Sequence, residues 1–229
     1  MQASQVPFVP WAEFEQRFKW RQGEHCLVIG RTGQGKTTLL SRLLPRRKHV
    51  VLFATKAYDP TLAREFPDFE IVSEFPKKPA HDRLMLWPKV SGSLRELTYR
   101  QAEVFQDALD RIFTDRGWCV AIDETHYMTS ELGLGQELAL YQHQARSSGI
   151  SVVSGVQRPA HVPVITYGSA THAFIGRQNE PADLKRLSQL GGVDAKAAAE
   201  IVATLPKHEW LYLDNSGHGQ PVRTRLDLR

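Results

Sequence analysis

The sequence predicts an α/β protein, a mostly parallel sheet flanked by helices. Three observations carry this. Short apolar runs recur at Cys26–Ile29, Val50–Ala54, Trp118–Ile122, Ile150–Val156 and His172–Ile175, rich in Val and Ile and without alternation, as strands covered on both faces read. Helical patterns lie between them, and strands alternating with helices build a parallel sheet. No internal repeat, low-complexity tract or Ser/Gly linker interrupts the 229 residues, so a single domain spanning 1–229 is expected, large enough to bury its own core.

In chain order, residues 1–22 form an N-terminal arm. Its Phe8, Trp11, Phe14, Phe18 and Trp20 read first as packing groups, with Trp20 and Arg21 the candidates for contact with an adenine ring. After the first strand, Lys36–Leu44 reads as a helix stopped by Pro45. Residues 66–92, with Pro67, Pro76, Pro79 and Pro88, form an irregular edge insertion that includes a short strand at Leu84–Trp87. Leu94–Asp115 is a helix that places Leu94, Leu97, Ala102, Phe105, Leu109 and Phe113 on one face. The loop Thr125–Gly135 is a candidate for projection into a pore. A further helix runs from about Leu134 to Ser147, with Gly149 positioned to end it. Residues 208–229 form a C-terminal hairpin, Glu209–Asp214 and Val222–Leu226 around Asn215–Gly217.

Composition narrows the class. Lys and Arg number 29 against 25 Asp and Glu, a net charge of +4, an excess too small by itself to argue for nucleic-acid contact. Cys26 and Cys119 lie in apolar runs without a C-x-x-C, which disfavours a disulfide framework or a thiolate zinc site. The nine His show no metal-ligand spacing. Met1–Pro10 lacks the features of a signal peptide, and no apolar run approaches the ~18 residues of a membrane span. A cytoplasmic protein is expected. The short basic runs Arg46-Arg47-Lys48 and Lys77-Lys78 read as solvated loops rather than DNA contacts.

Gly30-Arg31-Thr32-Gly33-Gln34-Gly35-Lys36-Thr37 fits G-x-x-x-x-G-K-[ST], and Thr38 extends it. Glycines let the backbone wrap a phosphate with its N–H groups pointing inward, and the following helix N-terminus adds a positive dipole. Lys36 is placed to meet the β- and γ-phosphates and Thr37 to offer its hydroxyl to Mg²⁺. An apolar strand precedes the motif and a helix follows it, which is the context it needs. ATP and Mg²⁺ are the expected cofactors.

The strand at Trp118–Ile122 ends in Asp123-Glu124. Asp123 at the strand tip suits a Mg²⁺ site opposite Thr37, and Glu124 beside it suits a base that polarises the attacking water. A GTPase would carry D-x-x-G here, but His126 stands three residues after Asp123. No guanine-reading N/T-K-x-D occurs; Thr55-Lys56-Ala57-Tyr58-Asp59 is one residue too long and comes too early. A small-molecule kinase would leave Glu124 without a role, so ATP hydrolysis is the better reading. The strand Ile150–Val156 ends in Gln157. If it lies between the strands of the glycine loop and of Asp123, Gln157 faces the γ-phosphate and senses its loss.

Gln144-Ala145-Arg146-Ser147-Ser148-Gly149-Ile150 followed by Gln157-Arg158-Pro159 resembles the R-x-x-G-I … T-Q-R-P signature of HerA/FtsK-type P-loop ATPases. With the glycine loop and the acidic pair, the resemblance covers roughly residues 10–215. It implies the additional-strand, catalytic-glutamate P-loop fold of core order 5-1-4-3-2, with a helix at Asp183–Gly191, and a homo-oligomeric, usually hexameric, ring that moves double-stranded DNA. By match, Lys36 and Thr37 are the phosphate and Mg²⁺ residues, Asp123 and Glu124 the acidic pair and Gln157 the sensor. Arg146 is the candidate arginine finger for a neighbouring subunit's ATP, with Arg158 and Arg177 as rivals.

Neither a membrane anchor nor the winged-helix reader or N-terminal barrel of larger relatives is expected from these residues. This bare motor core most resembles the minimal genome-packaging ATPases of tailless, internal-membrane viruses and phages. The resemblance therefore implies a motor acting in the host cytoplasm or on the virion, with a capsid or membrane protein at a portal vertex as a further partner. A ring ATPase that remodels proteins, or serves virion assembly or secretion without moving DNA, is the alternative.

Overall fold

A computed structural model describes residues 6–89, 92–187, 190, 194–217 and 219–227. Every apolar run read from the sequence forms a strand. The chain begins with helix α1 (Trp11–Arg17), strand β1 (His25–Ile29), α2 (Lys36–Leu43), β2 (Val50–Phe53) and α3 (Pro60–Glu65). Next come β3 (Glu70–Val72), β4 (Arg83–Leu86), α4 (Leu94–Asp115), β5 (Cys119–Ile122), α5 (Gly135–Gln144) and β6 (Ser151–Val156). The last third holds α6 (Val164–Gly168), β7 (Ala170–Ile175), α7 (Pro181–Leu187), α8 (Ala195–Thr204), β8 (Glu209–Asp214) and β9 (Val222–Arg225).

These strands form one sheet of order β3-β4-β2-β5-β6-β1-β7-β8-β9. Its five inner strands, read from β7 to β2, keep the expected core order 5-1-4-3-2, and all pair in parallel. The full sheet is longer than that core. The antiparallel β8–β9 hairpin extends one side. On the other side the insertion is more regular than expected: it supplies β3 and β4, both parallel. Glu70–Val72 escaped the sequence reading because it is three residues long and largely exposed.

Alternation within each inner strand divides the core between two faces. Cys26 and Val28 pack with Phe14 of α1, Phe18 just after it, and Leu39, Leu40 and Leu43 of α2. Leu27 and Ile29 point the other way, to Leu187, Ile201 and Val202 of α7 and α8. On that second face, under the other half of the sheet, Val51, Phe53, Val120 and Val152 meet α4 and α5. Such two-sided burial is what a non-alternating apolar strand encodes.

The buried stripe of α4 differs from the expected one. It is Gln101, Val104, Phe105, Ala108, Leu109 and Ile112, while Leu94 is 83% exposed. Ser93 and Glu96 cap the helix reciprocally, and its first turn projects into solvent, so the early leucines find no sheet to cover. Gln101 is tolerated inside because its amide donates to the Thr55 carbonyl at 3.0 Å and accepts from the Tyr127 hydroxyl at 2.8 Å. The helix expected over Asp183–Gly191 is α7, which begins at Pro181; residues 188, 189 and 191 lie outside the described residues. So do residues 1–5 of the arm, 90 and 91 of the insertion, and 218, 228 and 229 of the hairpin segment.

Candidate functional site

Parallel strands bring all their C-terminal ends to one edge of the sheet. There the loop after β1 holds Gly30–Gly35, β5 ends in Asp123 and Glu124, and β6 runs into Gln157, with β6 between the other two. The inter-strand position that the Gln157 reading required is therefore met. Gly35 is the N-cap of α2 at φ +94°, with no side chain bonded to the helix end. The first N–H groups of α2 are thus left for an anion, beside the positive end of the helix dipole.

The Lys36 ammonium lies 3.5 Å from a Glu124 carboxylate oxygen. Asp123 is 3% exposed, and its Oδ1 is buried without a hydrogen-bond partner among the described residues. An unpaired buried carboxylate oxygen is costly, and a cation would satisfy it. With the half-buried Thr37 on α2, these residues fit a Mg²⁺ ion. The Thr32 hydroxyl donates to Gln157 Oε1 at 3.2 Å, which ties the glycine loop directly to the end of β6. Gly155 lets β6 lie close against the end of β5: a Cβ there would lie 2.3 Å from the Asp123 carbonyl oxygen.

Gln34 uses its side chain differently from its neighbours in the motif. It is buried, and its amide donates to the carbonyls of Glu209, at 3.0 Å, and Pro206. Its own carbonyl lies 3.1 Å from His208 Nδ1. Trp210 packs beneath Gly30, where a Cβ would come within 2.9 Å of the indole. The segment leading into β8 thus braces the glycine loop from behind. No local signal announces this bracing, because it joins residues some 170 positions apart.

Two more groups at this edge were not singled out as site residues. Lys56 follows β2 and pairs with Asp59 at 2.7 Å. Burial works to lower its pKa, but the Asp59 hydrogen bond and the charges of Asp123, Asp59 and Glu124 outweigh it and raise it. Asp183 of α7 is fully buried; it accepts from Arg158 Nε at 2.8 Å and from the Ala160 N–H at 2.9 Å, anchoring the turn that follows Gln157.

Arg146 lies elsewhere. It sits in a 3₁₀ turn, Ala145–Ser148, ahead of β6, exposed and against Gly23 near the start of β1. The length of β6, about 20 Å, separates it from its own glycine loop. Of its rivals, Arg158 is held by Asp183, and Arg177 is exposed after β7. Trp20 and Arg21 lie at the far edge, away from the glycine loop of their own chain; the Trp20 indole donates to the Glu24 carbonyl and stacks against the Arg47 guanidinium at 4.2 Å. The Thr125–Gly135 loop does not stand free, because Met128, Leu132 and Leu134 anchor it in the core. A 690 Å³ cavity between α1 and the β7–β9 strands, floored by Phe18, His172 and Tyr212, also lies toward the far edge and away from the glycine loop.

No family model matches the sequence, and no curated protein matches it. Solved structures do match the fold. The genome-packaging NTPase B204 from Sulfolobus turreted icosahedral virus 2, in complex with AMPPCP, superposes with a TM-score of 0.63 at 16% identity, over 90% of this chain and 100% of that one. VirB4 of Thermoanaerobacter pseudethanolicus gives 0.67 at 9% identity, over 90% of each chain. The pCW3 conjugation coupling protein TcpA, in its monomer form with ATPγS, gives 0.56 at 15%, over 97% of this chain and 70% of that one. The fold is that of these proteins, in agreement with the resemblance read from the motifs.

Proposed function

We propose that the protein is an ATP-hydrolysing motor that moves double-stranded DNA, packaging a viral or phage genome. The observation that carries the reading is the convergence of the glycine loop, Asp123-Glu124 and Gln157 on three adjacent strand ends. The N–H groups of residues 30–38 and the Lys36 ammonium hold the triphosphate. Thr37 and Asp123 hold Mg²⁺, which when bound offsets phosphate charge. Glu124 orients the attacking water and takes its proton. Gln157, linked to the loop through Thr32, responds to loss of the γ-phosphate. Arg146 completes the charge stabilisation from a neighbouring subunit, which requires a homo-oligomeric ring, a hexamer by resemblance.

The likeness to a genome-packaging NTPase over the whole of that chain supports DNA as the track and the host cytoplasm or virion as the place of action, with a capsid or membrane protein at the portal as docking partner. A likeness to the cytoplasmic domain of a type VII secretion ATPase, with a TM-score of 0.59 at 14% identity over 90% of this chain, favours a second reading, a ring ATPase serving assembly or secretion. ATPase rate with and without long duplex DNA, at stated salt, separates them. Stimulation by DNA is expected; stimulation only by a capsid or membrane protein would support the second reading.

A further inference from the structure

The edge of the sheet opposite the glycine loop carries the loops that enter β2, β5, β6 and β1, four adjacent strands. Three of them bring cations: Arg47 and Lys48 before β2, Arg116 before β5, and Lys19 and Arg21 before β1; Arg146, before β6, is left to the nucleotide role proposed above. A cavity of about 430 Å³ opens here, lined by Gln22, Arg47, Lys48, His49, Arg116 and Gly149, and no carboxylate is among its described lining residues. The nearby acids are mostly engaged. Asp82 pairs with His49 at 2.9 Å, Glu24 is held by His172 and the Arg21 N–H, and Asp115 is exposed beside Arg116. Lys48 and Arg116 make no ion pair among the described residues. At the other edge, by contrast, the acids Asp59, Glu124 and Asp183 are paired with Lys56, Lys36 and Arg158.

Arg116 adds an independent observation. Its backbone stands at φ 61°, ψ 173°, territory essentially reserved for glycine, at a cost of about 1–3 kcal/mol. Gly117 follows, also at positive φ.

We propose that this cationic edge, centred on the cavity between Lys48 and Arg116, is the surface that grips the phosphodiester backbone of duplex DNA. Four strand positions span about 14 Å, comparable to about four phosphate steps along one strand of the duplex. A row of cations without base-reading geometry suits sequence-independent contact, which a motor travelling along DNA needs. The proposal rests on the reading of the protein as a DNA-moving ATPase.

The test is equilibrium binding of a ~30-bp duplex to the full chain across a salt series, for wild type, Lys48→Ala and Arg116→Gly. Each variant should bind about tenfold more weakly at ~50 mM salt, with the log–log salt slope reduced by about 1. Arg116→Gly relieves the backbone strain, so its Tm should equal or exceed that of wild type while affinity falls, a pairing that structural damage does not produce. Variants that bind with wild-type affinity and slope would overturn the surface and leave the DNA reading intact. A wild-type protein that binds no duplex at any salt overturns that reading, and this surface with it. Unchanged DNA binding with loss of DNA-independent ATPase would assign the cations to a neighbouring subunit's nucleotide and overturn the proposal.

Discussion

Lys36 on α2 and Glu124 after β5 face each other at 3.5 Å across the end of β6. In the proposed function, an incoming γ-phosphate would compete with Glu124 for the ammonium, and a Glu124 released from Lys36 would be free to engage water. On that reading, one contact would couple binding to activation.

Lys36→Ala removes the charge that meets the β- and γ-phosphates. ATP affinity should fall about 10- to 100-fold, the worth of a hydrogen bond to a charged group, and turnover should vanish. Calorimetric titration with ATP and a phosphate-release assay measure both. Normal hydrolysis by the folded variant would overturn the nucleotide site.

Glu124→Gln preserves shape and removes only the capacity to accept a proton. The variant should bind ATP and Mg²⁺ at least as well as wild type, because Lys36 loses its competing partner, while hydrolysis drops by about 10²-fold or more. Weaker ATP binding with a near-normal rate would make Glu124 a structural residue.

Gly155→Ala probes the approach of β6 to β5. The new Cβ would meet the Asp123 carbonyl at 2.3 Å, so the strands must separate. A loss of about 1–3 kcal/mol in urea unfolding is expected, together with weaker Mg²⁺-dependent nucleotide binding as Asp123 shifts. A stability equal to wild type would mean that the strands accommodate the methyl group.

Most of this site was legible because its parts are local: a loop between a strand and a helix, two acids at a strand tip, a Gln at another. The inner strands were legible because two-sided burial leaves an unbroken apolar run, as in Val50–Phe53. What stayed hidden depends on long-range placement. The bracing of Gln34 by residues 206–209 joins segments far apart in the chain. The anchoring of Arg158 by Asp183 needs α7 folded back over the β6 turn. The basic run Arg46-Arg47-Lys48 looked like ordinary loop charge until the sheet aligned it with Arg116 and Arg146 along one edge.

The far edge also carries a pH-sensitive group. His25 is buried, and its Nδ1 accepts from the Val152 N–H at 3.1 Å, which fixes the neutral ring. Burial chiefly, and the nearby Arg146 charge, lower its pKa to about 4. The unfolded chain therefore binds a proton that the folded one refuses between about pH 6.5 and 4. Stability should be full above this window and fall as pH drops through it, by up to about 3 kcal/mol. Urea unfolding at pH 7.5 and 5, with His25→Gln as control, measures it. A control that loses as much stability on acidification as wild type would assign the effect to other groups.

Arg146 gives the sharpest test of the ring. It cannot reach its own glycine loop, because the length of β6 lies between them, and an arginine supplied in trans is worth about 10³–10⁵ in rate. Arg146→Ala should therefore bind ATP and assemble normally but hydrolyse slowly. Lys36→Ala is inactive for the opposite reason, an intact Arg146 beside a damaged cradle. Mixing the two inactive variants should restore activity, since some interfaces will join an intact cradle to an intact Arg146. Wild-type rate per subunit should also rise steeply with concentration as rings form. A mixture no more active than its separate components would exclude action in trans. Full activity in a verified monomer would remove the ring itself, leaving an ATPase whose charge stabilisation must come from its own edge, with Arg158 or Arg177 the nearest candidates.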